Sequence, residues 1–99
     1  MRMIRECSKL DYLFLFGESR TAFSDLCVEQ ALESGGKILL MMDGDLPAGF
    51  LCAIKESYGL HIAYLYTVPE KRKSGVCTEL LSFFLHEMHE KKETDRKST

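Results

Sequence analysis

The chain has 99 residues, 45% hydrophobic and 28% charged, with 13 Lys and Arg against 15 Asp and Glu. That length fits one domain with a small core, burying roughly 60–65% of the surface its unfolded chain exposes. The near balance of charge excludes a strongly basic protein held to nucleic acid by phosphate attraction, and it leaves no acid excess to keep a chain disordered. Apolar runs are short: Ile38–Met42 is typical, far below the ~20 residues that cross a membrane. The opening Met1-Arg2-Met3-Ile4-Arg5 is not followed by the apolar stretch of a signal peptide. Cys7, Cys27, Cys52 and Cys77 form no Cys-x-x-Cys pair and no Cys/His zinc spacing, so free structural thiols are expected. These features predict a cytoplasmic protein without metal, membrane or nucleic-acid partners.

In chain order, Met3–Cys7 is a short first strand. Leu10, Leu13 and Phe14 then recur at helical spacing, with Asp11 near the segment's start, and Gly17-Glu18-Ser19 breaks the pattern. Residues Thr21 to Ser34 form a second helix on the Phe23, Cys27, Ala31 spacing with Leu26 beside it, ended by Gly35-Gly36. Three strands follow: Lys37–Asp43, Gly49–Lys55 and Leu60–Val68. The turns Asp43-Gly44-Asp45 and Ser57-Tyr58-Gly59 join them into an antiparallel meander, with Pro47 outside the second ladder.

Strict alternation on the last strand puts Leu60, Ile62, Tyr64, Tyr66 and Val68 on one face, and His61, Ala63, Leu65 and Thr67 on the other. Both faces are mostly apolar, so cover on both sides is expected. A polar, basic loop, Pro69–Ser74, leads into a helix from Gly75 to about Lys92. Its stripe is Val76, Leu80, Leu81, Phe84, Leu85 and Met88, with Phe83 off the stripe. Residues 1–92 read as a single domain and 93–99 as a polar tail.

The chemistry concentrates in Leu65-Tyr66-Thr67-Val68-Pro69-Glu70-Lys71-Arg72-Lys73-Ser74-Gly75-Val76-Cys77-Thr78. A buried strand, a basic loop and a helix N-terminus in succession make an anion cradle: unpaired N–H groups and a partial positive charge, with Arg72 and Lys73 adding full charges. Gly75 lets a ligand approach closely, and the loop is sized for a pyrophosphate.

These residues resemble the acetyl-coenzyme A motif of the GNAT family of N-acetyltransferases. In that family a central strand passes through a Pro into Arg/Gln-x-x-Gly-x-Gly/Ala at a helix start. This chain gives Val68-Pro69-Glu70, then Arg72-Lys73-Ser74-Gly75-Val76-Cys77, then Leu80-Leu81. The element order is similar over about residues 3 to 90.

The resemblance implies an α+β GNAT-like fold, N-terminal part only: a strand, two helices, a three-stranded meander and a long amphipathic helix. It implies acetyl-coenzyme A as co-substrate, with the pyrophosphate on the backbone from Lys73 to Thr78 (Lys73, Ser74, Gly75, Val76, Cys77, Thr78), Arg72 beside it, and Leu65 and Thr67 backbone groups on the pantetheine arm. The implied reaction is metal-free acetyl transfer to an amine of an unnamed small-molecule or peptide acceptor. Two departures stand out: Cys77 replaces the motif's last Gly or Ala, and the strand and helix that usually follow this helix, with often a Tyr that protonates the leaving thiolate, are not in the sequence. The alternatives are a non-catalytic coenzyme A-binding or dimerisation module, or a fragment of a longer acetyltransferase.

His61, Tyr66 and Glu70 are the catalytic candidates: a general base on the meander, a pocket-lining phenol and an amine-binding carboxylate. His86 and His89 with Glu90 read as a solvated helix face. As a sheet edge, Leu60–Val68 invites pairing with another chain, so a homodimer through that edge or through the last helix is expected.

Overall fold

Ser8 and Thr21 set the first two helices. A computed structural model describes residues 1–97. After strand β1 (Arg2–Glu6), helix α1 (Lys9–Leu15) starts where the Ser8 hydroxyl accepts the Asp11 N–H at 3.2 Å. A short 3-10 turn over Gly17–Ser19 separates it from helix α2 (Ala22–Glu33), which opens with a reciprocal cap between Thr21 and Ser24. Gly35, at φ +83°, closes α2.

Strands β2 (Lys37–Asp43), β3 (Leu46–Glu56) and β4 (Gly59–Thr67) follow. A 3-10 turn at Pro69–Lys71 then leads to helix α3 (Val76–Lys97). The four strands form one antiparallel sheet in the order β1-β2-β3-β4.

Each face of the sheet carries its own core. On one side α1 and α2 press Tyr12, Phe16, Cys27, Val28 and Ala31 onto Ile38, Leu40, Phe50 and Cys52. On the other, α3 presses Val76, Leu80 and Phe84 onto Leu39, Met41, Leu51 and Ala53. The continuous apolar run of β2 follows from this, since it has no solvent face. The first side is aromatic: Phe16 and Phe50 lie 4.7 Å apart, and Tyr12, Tyr64 and Tyr66 surround Phe50 at 5.3, 5.6 and 5.7 Å.

The helices turn differently from the expected stripes. In α1, Tyr12 and Phe16 face inward while Leu10 and Phe14 stand 78% and 87% exposed. The Tyr12 hydroxyl fixes that orientation by bonding Ser24 Oγ and Asp25 Oδ1, each at 2.7 Å. Burial raises this phenol to about 12, so it keeps its proton and donates. The same bonds turn Ser24 inward on α2, so Ser24, Cys27, Val28 and Ala31 are buried and Phe23 and Leu26 are largely exposed. On α3, Leu85 is exposed rather than part of the stripe. The helix also continues past Lys92 to Lys97. Of the expected tail, Ser98 and Thr99 lie outside the described residues.

Two bulges modify the sheet. The β2–β3 register passes from Met41↔Gly49 to Met42↔Pro47, making Ala48 an extra residue. Strand β3 therefore begins at Leu46, with Pro47 accommodated at the irregularity. The β3–β4 register passes from Cys52↔Tyr64 to Ala53↔Ile62, making Ala63 extra. That residue breaks the expected alternation. Leu60, Ile62 and Leu65 pack toward α3, whereas Ala63, Tyr64, Tyr66 and Val68 pack toward α1 and α2.

At Gly49 the strands and α3 come close together. A Cβ there would lie 2.4 Å from the Tyr66 carbonyl oxygen and 3.0 Å from Val76 Cγ1. Gly49→Ala is therefore expected to cost about 2–3 kcal/mol by overpacking against backbone, lowering the melting temperature by roughly 10 °C or more. Thermal denaturation followed by circular dichroism reads it directly; an unchanged midpoint contradicts the constraint.

Candidate functional site

β4 ends at Thr67, and the Val68–Pro69 step starts a tight turn in which the Lys71 N–H donates to Val68 C=O at 2.9 Å and Arg72 N–H to Pro69 C=O at 3.3 Å. The chain then takes two left-handed residues, Lys73 at φ +69° and Gly75 at φ +86°. For Lys73 this conformation costs about 1–2 kcal/mol, a local strain of the kind that collects at functional loops. The ladder of α3 begins with Glu79 N–H to Gly75 C=O at 2.9 Å. The N–H groups of Val76, Cys77 and Thr78 precede it and have no carbonyl one turn back.

The strand edge meets this helix start. Val68 N–H points into the sheet, donating to Ala48 C=O at 2.9 Å. Its peptide bond is trans, so the Thr67 C=O on the other side points outward, away from β3. The Thr67 N–H points outward with it, and by alternation so do the backbone groups of Leu65. β4 has a neighbour on one side only.

Between this edge and the helix start lies a cleft of about 410 Å³. Leu65, Thr67, Arg72, Lys73, Gly75, Val76, Cys77 and Thr78 of the expected cradle line it, as do Tyr66 and Lys71. Ser74 is not among its walls; its hydroxyl turns back to the Lys71 carbonyl. Gly75 has open space where a Cβ would be.

The cations are committed in different ways. Lys71 Nζ holds Asp43 Oδ2 at 2.8 Å, tying the loop to the β2–β3 hairpin, and it draws the Asp43 carboxyl below its ordinary range. Arg72 Nε donates to Thr67 C=O at 3.2 Å. Below them, Thr67 Oγ1 and Cys77 Sγ lie 2.8 Å apart, so Cys77 caps the buried Thr67 hydroxyl where the motif expects a smaller residue. Sequence reasoning passed over Lys71 as a wall residue. Its pairing with Asp43 joins positions 28 residues apart, and neither residue carries a local signal for it.

The catalytic candidates separate. Tyr66 lines the cleft. Glu70 is exposed on the turn. His61 precedes Thr67 by six residues on β4, about 20 Å along the strand, and borders a shallow depression with Gln30, Glu33 and Glu56. His61 Nδ1 lies 3.5 Å from Glu56 Oε1 but makes no hydrogen bond. Among the described residues, no cluster of His, Cys, Asp or Glu is arranged to hold a metal ion, and no helix is long and apolar enough to cross a membrane.

Two measurements follow from this electrostatics. An unfolded Asp titrates near ~3.9, and folded Asp43 titrates lower. Its stabilising contribution is therefore complete above the unfolded value and lost as the pH falls through the folded one. Melting curves from neutral pH into acid should show Asp43→Asn less stable at neutrality, with the gap closing as the pH falls below the ordinary Asp range; a gap independent of pH contradicts the pairing. Burial raises the Cys7 thiol to about 11 and the Cys52 thiol to about 12, and pushes Cys27 upward too, so these stay protonated and unreactive. Cys77 is only half-buried. A thiol reagent under native conditions should label Cys77 first, as peptide mapping would show.

No protein-family model matches the sequence, and no curated protein matches it. Among solved structures, the chain is similar to an inferred acetyltransferase of the GNAT family from Desulfovibrio desulfuricans, at 19% identity and a TM-score of 0.68. The match covers 90% of this chain and 67% of that one. The four-stranded antiparallel sheet between its two helical layers is thus a GNAT fold.

Proposed function

We propose that the chain binds acetyl-coenzyme A in the cleft between β4 and α3 and transfers its acetyl group to an amine. The observation that carries this reading is the juxtaposition, within one cleft, of two complementary surfaces. One is an outward-facing strand edge at Leu65 and Thr67; the other is a helix start with unpaired N–H groups beside Lys73 and Arg72. An extended arm with amides suits the first and a pyrophosphate suits the second. Similarity to the Desulfovibrio structure supports the fold on which the reading rests.

In such a transfer the amine nitrogen bonds to the acetyl carbon, the carbon–sulfur bond breaks, and the amine's proton must leave while the thiolate gains one. Positioning and polarisation of the carbonyl carry most of the rate. Of the three residues singled out, Tyr66 is the one that borders the cleft. Its ring packs on the α1 and α2 side of the sheet, against Phe16 at 6.3 Å and Phe50 at 5.7 Å.

A second reading, a module that works by association, draws on the contrast between the two sheet edges. β1 carries Arg2, Arg5 and Glu6, which discourage pairing, whereas β4 from Gly59 to Thr67 has no Lys, Arg, Asp or Glu. A second copy would meet no like charge there, and the Gly59–Ala63 half is clear of the cleft. A mass that stays monomeric at all concentrations removes this reading.

Thermal unfolding with millimolar acetyl-coenzyme A tests the first. A ligand at ~100 times its dissociation constant adds about 2.7 kcal/mol, a rise of roughly 10 °C or more for this size. The rise should vanish in Gly75→Glu, which puts a carboxylate in the cradle, and shrink in Lys73→Ala. A folded wild-type chain whose midpoint does not move overturns the reading.

A further inference from the structure

Arg72 sits at the junction of the two surfaces. Its Nε donates to the Thr67 C=O at 3.2 Å, and that carbonyl is an acceptor on the free edge of β4, because Val68 N–H on the same peptide faces β3. The guanidinium therefore occupies an edge acceptor that an arm extending the sheet would need. One neighbouring cation is committed elsewhere: Lys71 is held by Asp43 at 2.8 Å.

We propose that Arg72 is a latch that couples the two halves of the cleft. With no anion bound, its guanidinium covers the Thr67 carbonyl. An anion at the α3 N-terminus draws the guanidinium away, since a charge-assisted bond to phosphate is stronger than one to a neutral carbonyl. The Thr67 C=O is then open to an amide N–H of the arm. Arg72 acts here as a positioning residue, and the coupling is reciprocal: an arm seated on Thr67 leaves the guanidinium free for the anion.

The proposal rests on the coenzyme A reading, and its test separates the two. Isothermal titration of the full chain uses pantetheine, inorganic pyrophosphate and coenzyme A as probes. With wild type, saturating pyrophosphate should tighten pantetheine about tenfold. Arg72→Ala should bind pantetheine about tenfold more tightly than wild type without pyrophosphate, and lose the coupling. Equal pantetheine affinity in the two proteins overturns the latch while leaving coenzyme A binding intact. Failure of wild type to bind coenzyme A overturns the underlying reading and the latch together.

A second measurement does not depend on the variant folding. In the wild-type chain the Arg72 Nε–H resonance should be protected from exchange when free and lose that protection as pyrophosphate is added. Protection that persists at saturating pyrophosphate overturns the latch.

Discussion

The narrow approach at Gly49 governs the rest of the molecule. A side-chain carbon there would collide with the Tyr66 carbonyl and press on Val76. Because the position is bare, β3 lies flush against β4 and the first turn of α3 settles directly over both. Val76 is consequently 1% exposed although it is the first helical residue. The N-terminus of α3 thus opens beside the end of β4 rather than over the middle of the sheet. The cleft is a by-product of that seating: strand edge on one wall, helix start on the other, and a short loop forced through left-handed conformations to join them.

Around this seat the polar contacts act as local stays. Lys37–Glu87 at 2.9 Å and Arg2–Glu79 at 3.0 Å tie α3 to β2 and β1, and Lys71–Asp43 ties the loop to the hairpin. All are at least partly solvated, so each contributes modestly and less at high salt. The two apolar cores carry the stability, and the ion pairs define where the elements lie once packed. Tyr12 differs because its hydroxyl is deep, and its bonds to Ser24 and Asp25 choose which faces of two helices turn inward.

Much of the fold was legible because its signals are local. The strand–helix–helix–meander–helix order followed from turn residues, and β2 and α2 were bounded almost to the residue by Gly and Asp punctuation. Most of the cleft's lining was legible for the same reason, since Arg72 to Thr78 are contiguous, though Ser74 among them turns away. Illegible were features decided by distant partners. Leu10 and Phe14 make as good a stripe as Tyr12 and Phe16 until Ser24 and Asp25 supply hydrogen bonds for a phenol. Nothing in Leu60–Val68 marks Ala63 as an extra residue, because the mismatch is counted against β3. The links of Arg72 to Thr67 and Lys71 to Asp43 depend on how the loop folds back, which spacing does not encode.

The extra residue at Ala63 makes β4 two strands in one. Above it, Tyr64 to Thr67 keep their faces through registry with Phe50 and Leu51; below it, Leu60 and Ile62 keep theirs through registry with Ala53 and Lys55. The phase of one half is independent of the other. Sequence change can therefore remodel the lower half, by substitution or by gaining or losing a residue near the Ser57–Gly59 turn, without rotating any side chain that borders the cleft. Drift in such a chain should be uneven along a single strand, with the boundary at an unremarkable alanine.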